Sequence, residues 1–190
     1  MGKSSSLAIL ILAAGTSSRL GEPKQLVKYQ NKTLIQISIE KALEVSSNVT
    51  VVLGEKADLI KKEIENYSII IMTNQEYKKG IGTSISYGIS FLKEFNKTLI
   101  MLCDQPFISS THLQKLIDKS NNSNKIVCSF YKKDVAVPAI FPKLFYKDLL
   151  SLNTDKGAKA IIKKNKYESI HLDDNLAFDV DTQEDKKCLI

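Results

Sequence analysis

Four charged side chains stand where an α/β protein could handle phosphate: Arg19, Lys24, Asp104 and Asp181. Arg19 and Lys24 are the only cations of a polar loop that follows an unbroken apolar run, 7–14, closed by Gly15. An arginine fork can hold phosphate oxygens bidentately, and a lysine acts as a point charge. Small residues let the backbone approach a ligand closely, and N–H groups there can face phosphate oxygens. Asp104 stands one residue, Cys103, beyond a second largely apolar run, 98–102. A carboxylate there can bind Mg²⁺, which is typically held by one or two carboxylates plus phosphates. The bland alternative is a turn cap before Pro106. Asp181 belongs to Asp179-Val180-Asp181. If Val180 points into the core, both aspartates face the other way. Serving as N-cap of the last helix is the other role open to Asp181.

These side chains need strands to hold them. Residues 7–14 are apolar on both faces and read as a central strand of a parallel sheet. Further strands are expected at 48–53, 68–72, 98–102, 126–130 and 135–140, with extended chain at 168–172 and a short strand at 177–180. Thr33 and Gln36 form a capping-box signature for a helix to about Val45. Other helices are expected over 57–65, after a cap at Thr83 or Ser84, after Ser109 or Ser110, from Pro142, after a cap at Asn153 or Thr154, and from Thr182. Strands alternating with helices imply an α/β fold: three-layer α/β/α, a Rossmann-like, mostly parallel sheet with an antiparallel excursion near 135–140. The loops 13–24, 73–82 and 103–106 then open on one edge, where open α/β sheets place ligands. One domain over 1–190 is expected, with 1–6 disordered.

Composition narrows the classes. The chain has 190 residues, 43% hydrophobic and 25% charged, ordinary for a globular protein. Its net charge of +6 is spread along the sequence without a block of like charges or interleaved aromatics, so a phosphorylated small ligand fits better than nucleic acid. No apolar run approaches the roughly 18 residues of a membrane span. Lys3 ahead of 7–14 resembles a short signal peptide, and Met1-Gly2 fits the loose myristoylation pattern; a first strand is the preferred reading, because cleavage would destroy the loop. Cys103, Cys128 and Cys188 are an odd set without metal-ligand spacing, which points to a reducing, cytoplasmic setting. His112 and His171 have no relay partner nearby in sequence and read as structural. The acidic neighbour of Cys103 raises its pKa and argues against a nucleophile. Pro23-Lys24-Gln25 does not fit Walker A, and the dinucleotide glycine fingerprint is missing.

Together the motifs resemble the MobA-like NTP transferases. They are Leu12-Ala13-Ala14-Gly15-Thr16-Ser17-Ser18-Arg19; Pro23-Lys24-Gln25-Leu26; Gly80-Ile81-Gly82-Thr83-Ser84; Cys103-Asp104-Gln105-Pro106; Val137-Pro138-Ala139-Ile140-Phe141; Thr154 to Ala158; and Asp179 to Asp185. Within that family the chain most resembles the molybdenum cofactor cytidylyltransferases, with a nucleotide-diphospho-sugar transferase type of fold. The resemblance implies transfer of CMP from CTP, or a nucleotidyl group from another NTP, to a molybdopterin-type phosphate, with release of pyrophosphate. It implies that the Leu12, Ala13, Ala14 and Gly15 backbone holds nucleotide and that Arg19 and Lys24 hold triphosphate. Asn74 would lie near the nucleoside. Gly82, Thr83, Ser84 and Pro138 would border the acceptor. Asp104 would bind Mg²⁺, or Mn²⁺ in its place, with Asp181 as a second metal carboxylate or a pterin-side one. Ala14 bears on base choice, since guanylyl members more often read Leu-Ala-Gly-Gly here. Ala136 departs from relatives that carry Gly before Val-Pro. A molybdenum hydroxylase apoenzyme is the implied downstream partner. The rival readings are a guanylyl or sugar-phosphate nucleotidyltransferase on the same fold, and a non-catalytic carrier of the cofactor.

Overall fold

The computed structural model describes residues 7–189. The expected disorder of 1–6 lies outside the described residues. In chain order the elements begin with β1 (Leu7–Ala13), β2 (Lys28–Tyr29), β3 (Lys32–Thr33), α1 (Leu34–Leu43), β4 (Val49–Leu53), α2 (Ala57–Ile64) and β5 (Ile70–Thr73). They continue with α3 (Ile81–Phe91), β6 (Lys97–Leu102), α4 (Ser110–Asn121), β7 (Ile126–Tyr131) and β8 (Asp134–Pro142). The last are α5 (Tyr146–Leu150), α6 (Ala158–Lys164), β9 (Tyr167–His171) and α7 (Gln183–Lys187).

Seven strands form one sheet in the order β5-β4-β1-β6-β8-β7-β9. β1 pairs in parallel with β4 and with β6, and β4 with β5. β8 runs antiparallel between β6 and β7, which is the expected excursion. Its hairpin turns through Lys132 and Lys133, both at positive φ. Side chains alternate across β1: Leu10 and Leu12 join α3, α5 and α6 in one core, while Ile9, Ile11 and Ala13 join α1, α2 and α4 in the other. Two cores on one sheet make the three layers. The predicted capping box opens α1, with Thr33 and Gln36 each bonding the other's backbone.

Three expectations near the site change. The third helix begins at Ile81 behind Gly80, not at a Thr83 or Ser84 cap. Gly80 has φ +119°, and a Cβ there would meet the Asp155 backbone at 2.4 Å. That close approach, invisible in local sequence, decides the start. The sixth helix is capped by Gly157 instead of Asn153 or Thr154, because 153–156 is the segment packed against Gly80 and Gly82. The expected strand at 177–180 is irregular chain. Val180 makes one cross-link, donating to the Asp104 carbonyl at 3.0 Å.

Candidate active site

The chain runs from β1 to β4 on one side and reaches β6 on the other, so β1 and β6 flank the point where the strand order reverses. That is where doubly wound sheets leave a crevice beyond the strand ends. The loop after β1 supplies Arg19 and Lys24, and the turn after β6 supplies Asp104. A third small core pins the pieces that ladders do not hold. Leu20, Val27, Leu34, Val180 and Leu189 are buried together, with Phe107 and Phe178 against them. Leu20 anchors the long loop and Val180 the C-terminal segment, so burial brings residues far apart in sequence to one place.

There the four charged side chains meet. Lys24 Nζ lies 2.6 Å from Asp104 Oδ2 and 2.7 Å from Asp181 Oδ1. The Arg19 guanidinium reaches Asp181 Oδ2 at 2.9 Å from a mostly exposed position. Burial works against the Lys24 charge, but the Asp104 carboxylate and the hydrogen bonds to both acids outweigh it and raise the Lys24 pKa. Burial likewise disfavours the Asp181 carboxylate, and Lys24 and Arg19 more than offset this, holding Asp181 below the usual range. Thr182, not Asp181, caps α7 by accepting from Asp185 N, which leaves the Asp181 carboxylate for the site. Val180 is fully buried, and Asp179 turns out with Asp181, as the alternation requires. Burial, then the Asp104 charge, pushes the Asp179 carboxyl up, while Gln105 Nε2 donates to it at 2.8 Å.

A cleft of about 290 Å³ opens beside this cluster. Leu12, Ala13, Ala14 and Gly15 line it with Lys24 and Asp104, and Tyr77, Lys78, Gly80 and Ser84 form the opposite wall. Tyr77 and Lys78 were missed by motif reading, since a half-buried tyrosine and an exposed lysine in a short 3₁₀ turn carry no signal of their own. A Cβ on Gly54 would meet Ala14 O at 2.6 Å and the Tyr77 side chain at 2.8 Å, so glycine there lets the two walls meet. Of the segment 82–84, Ser84 reaches the cleft. Gly82 is packed against the Thr154 and Lys156 carbonyls, and Thr83 lies within hydrogen-bond distance of the Gly80 and Glu76 carbonyls. Asn74 is buried behind the wall. Its Nδ2 donates to Thr83 and Ser84, each at 3.0 Å, and its Oδ1 accepts from Glu76 N. The amide thus braces the loop from behind. Pro138 is buried in β8 after a cis peptide, its carbonyl accepting from Ser129.

The donor set suits a hard divalent cation. Asp104 Oδ1 is buried and has no hydrogen-bond partner within the protein, an acceptor left over in the middle of the site. Among the described residues no three His, Cys, Asp or Glu side chains gather into a metal cage. Two carboxylates completed by phosphate oxygens and water are the ligand set Mg²⁺ or Mn²⁺ accepts. His112 and Cys103 stay outside this chemistry. His112 Nε2 is 2.8 Å from Ser129 Oγ, and burial, then Lys115, lowers its pKa to about 4. Burial, then Asp104, raises the Cys103 thiol well above its ordinary value.

A mostly parallel sheet with this acidic and basic cluster at its switch point defines a nucleotidyltransferase-type α/β fold. The chain belongs to the MobA-like NTP transferase domain family, whose model matches residues 9–170. It is 33% identical over 162 residues to the bifunctional protein GlmU of Thermosipho melanesiensis, covering 83% of this chain and 34% of that protein. It is also 33% identical over 112 residues to nicotine blue oxidoreductase of Paenarthrobacter nicotinovorans, covering 57% of this chain and 54% of that protein. The chain thus spans from about a quarter to about half the length of such relatives. Its fold matches Rv0371c of Mycobacterium tuberculosis with a TM-score of 0.89 at 23% identity, over 99% of this chain and 98% of that one. A crystal structure of Rv0371c in complex with manganese matches with a TM-score of 0.82 at 22% identity, over 97% of each.

Proposed function

We propose that this cleft transfers a nucleotidyl group from an NTP, CTP by preference, to the terminal phosphate of a molybdopterin-type acceptor, releasing pyrophosphate. The observation that carries the reading is the convergence of Lys24 on Asp104 and Asp181, with Asp104 Oδ1 left unpartnered, beside a cleft of about 290 Å³. The backbone of 12–15 holds nucleotide, its N–H groups toward the phosphates, and the wall around Tyr77 and Ser84 holds the nucleoside. Arg19 and Lys24 hold the triphosphate in line for attack at its α-phosphorus. Asp104 and Asp181 hold Mg²⁺, or Mn²⁺, which when bound relieves charge repulsion between acceptor and triphosphate. A phosphate-monoester acceptor, with a second pKa of about 6, is already ionised at pH 7. The protein's task is therefore placement and charge neutralisation, not proton abstraction. In this reading the chain acts as one catalytic domain in the cytoplasm, passing product to a molybdenum hydroxylase apoenzyme.

Ala14 next to the cleft favours cytosine over guanine in this reading. Thermal shift with CTP, GTP, ATP and UTP, each with and without Mg²⁺, separates the choices. Stabilisation by CTP with Mg²⁺ alone supports cytidylyl transfer, and preference for GTP moves the chain to the guanylyl class. No response to any NTP favours a non-catalytic carrier. Pyrophosphate release with molybdopterin and each NTP then decides activity, and its absence with every pair refutes transfer.

A further inference from the structure

Lys24 and Gln25 leave the same short 3₁₀ turn, Lys24–Leu26, for different jobs. Lys24 reaches the carboxylates. Gln25, 1% exposed, runs back to the end of β1. Its Nε2 donates to Ala13 O at 2.7 Å and lies 3.2 Å from Gly15 O. Those two carbonyls flank Ala14. In a trans peptide the N–H points opposite to the C=O of the same unit. Drawing the carbonyls of Ala13 and Gly15 to one side therefore turns the N–H groups of Ala14 and Thr16 to the other. Both residues line the cleft.

The side-chain chemistry is particular. A primary amide offers two hydrogens from one nitrogen and can serve two carbonyls at once. Asparagine is one methylene too short from this position, and methionine has the length without a donor. Gln25 Oε1 is left buried and without a partner. Reversing the amide would set that oxygen against two carbonyl oxygens, so the unpaired acceptor accompanies the double donation. The same turn is tied to the loop a second time, since Lys24 N donates to Ser17 Oγ at 3.0 Å.

We infer that Gln25 is a positioning residue for the phosphate-facing backbone. Its amide fixes the Ala13 and Gly15 carbonyls and thereby aims the Ala14 and Thr16 N–H groups at bound phosphate. The inference rests on the nucleotidyl-transfer reading above. Calorimetry of the wild type, Gln25→Met and Gln25→Asn with CTP, CMP and cytidine, in Mg²⁺, tests it. Gln25→Met is expected to bind CTP about tenfold or more weakly, as loss of an aimed hydrogen bond to a charged group implies. The loss should shrink for CMP and vanish for cytidine, and Gln25→Asn should not rescue it. A mere prop would lower the melting temperature and weaken all three ligands alike, which overturns the inference. Unchanged CTP affinity in Gln25→Met, with a wild type that binds CTP, overturns it while leaving nucleotidyl transfer standing. A wild type that binds no nucleotide refutes both.

Discussion

Replacing Asp104 by Asn keeps the shape of the side chain and removes its charge. In the fold the cost should be small. Breaking a buried ion pair by deleting one partner typically costs about 3–5 kcal/mol, because the survivor is left unpaired. Here Lys24 keeps Asp181 at 2.7 Å, and that acid is about one-third exposed, so the ammonium is not orphaned. Asn also retains an oxygen that can accept from Lys24 at the 2.6 Å contact. About 1–2 kcal/mol is then the expected destabilisation, a fall of roughly 2–8 °C in melting temperature for a chain of this size. Catalysis should fall much further. In the proposed mechanism the unpartnered, buried Asp104 Oδ1 is the acceptor offered to a divalent cation, and an uncharged amide oxygen is a far weaker ligand. Removing one such electrostatic contact typically costs about 10²–10³ in kcat. The assay is pyrophosphate release under saturating NTP and Mg²⁺, paired with thermal unfolding and with Mn²⁺ titration followed by electron paramagnetic resonance. A folded Asp104→Asn protein should show weakened Mn²⁺ binding in the presence of NTP. Turnover within threefold of wild type, or unchanged Mn²⁺ affinity, would refute the assignment of Asp104.

Lys24→Ala should weaken NTP binding about tenfold or more by calorimetry, through loss of a charge-assisted contact; an unchanged dissociation constant removes Lys24 from the triphosphate site. Gly80→Ala should lower stability by about 1–3 kcal/mol in urea unfolding and reduce NTP affinity, because its Cβ would strike the Asp155 backbone and loosen the wall around Ser84. A wild-type unfolding curve would show that the 152–157 segment yields freely. His112 gives a pH signature. Its folded pKa of about 4 lies below its unfolded value of 6.5, so the unfolded chain binds more protons between them. That contribution to stability is full above about pH 6.5 and is lost as pH falls toward 4. His112→Gln should flatten the dependence of the urea midpoint between pH 7 and 4.5, and an unaltered slope would exclude His112 as its source.

Local sequence carried a good deal of this. The run ending at Gly15 had to be a doubly buried strand, because its apolar residues do not alternate with polar ones, and β1 has cores on both faces. Thr33 and Gln36 announced their helix by a contact made within one turn. Asp104 was conspicuous because a carboxylate just beyond an apolar strand needs a reason. The misplaced helix starts at Gly80 and Gly157 share one cause: each is set by the packing of 152–157 on the start of α3, a contact between segments some seventy residues apart. The two motifs Gly80 to Ser84 and Thr154 to Ala158 are, in the fold, two sides of one junction.

The cations of the opening loop, the aspartate after β6 and the pair around Val180 were each fixed by sequence in type and in local setting. Residue chemistry and a two- or four-residue period are local properties, readable without a fold. That Lys24 touches both Asp104 and Asp181 was not readable, for it depends on Leu20 and Val180 sharing a buried cluster that closes a separation of 157 residues. Nor could sequence say that Asn74 faces the loop it braces and not the cleft, or that Gln25 turns away from its neighbour Lys24 to hold the backbone on which phosphate would rest. Direction, unlike composition, is decided by what each side chain meets, and only tertiary packing supplies the partners.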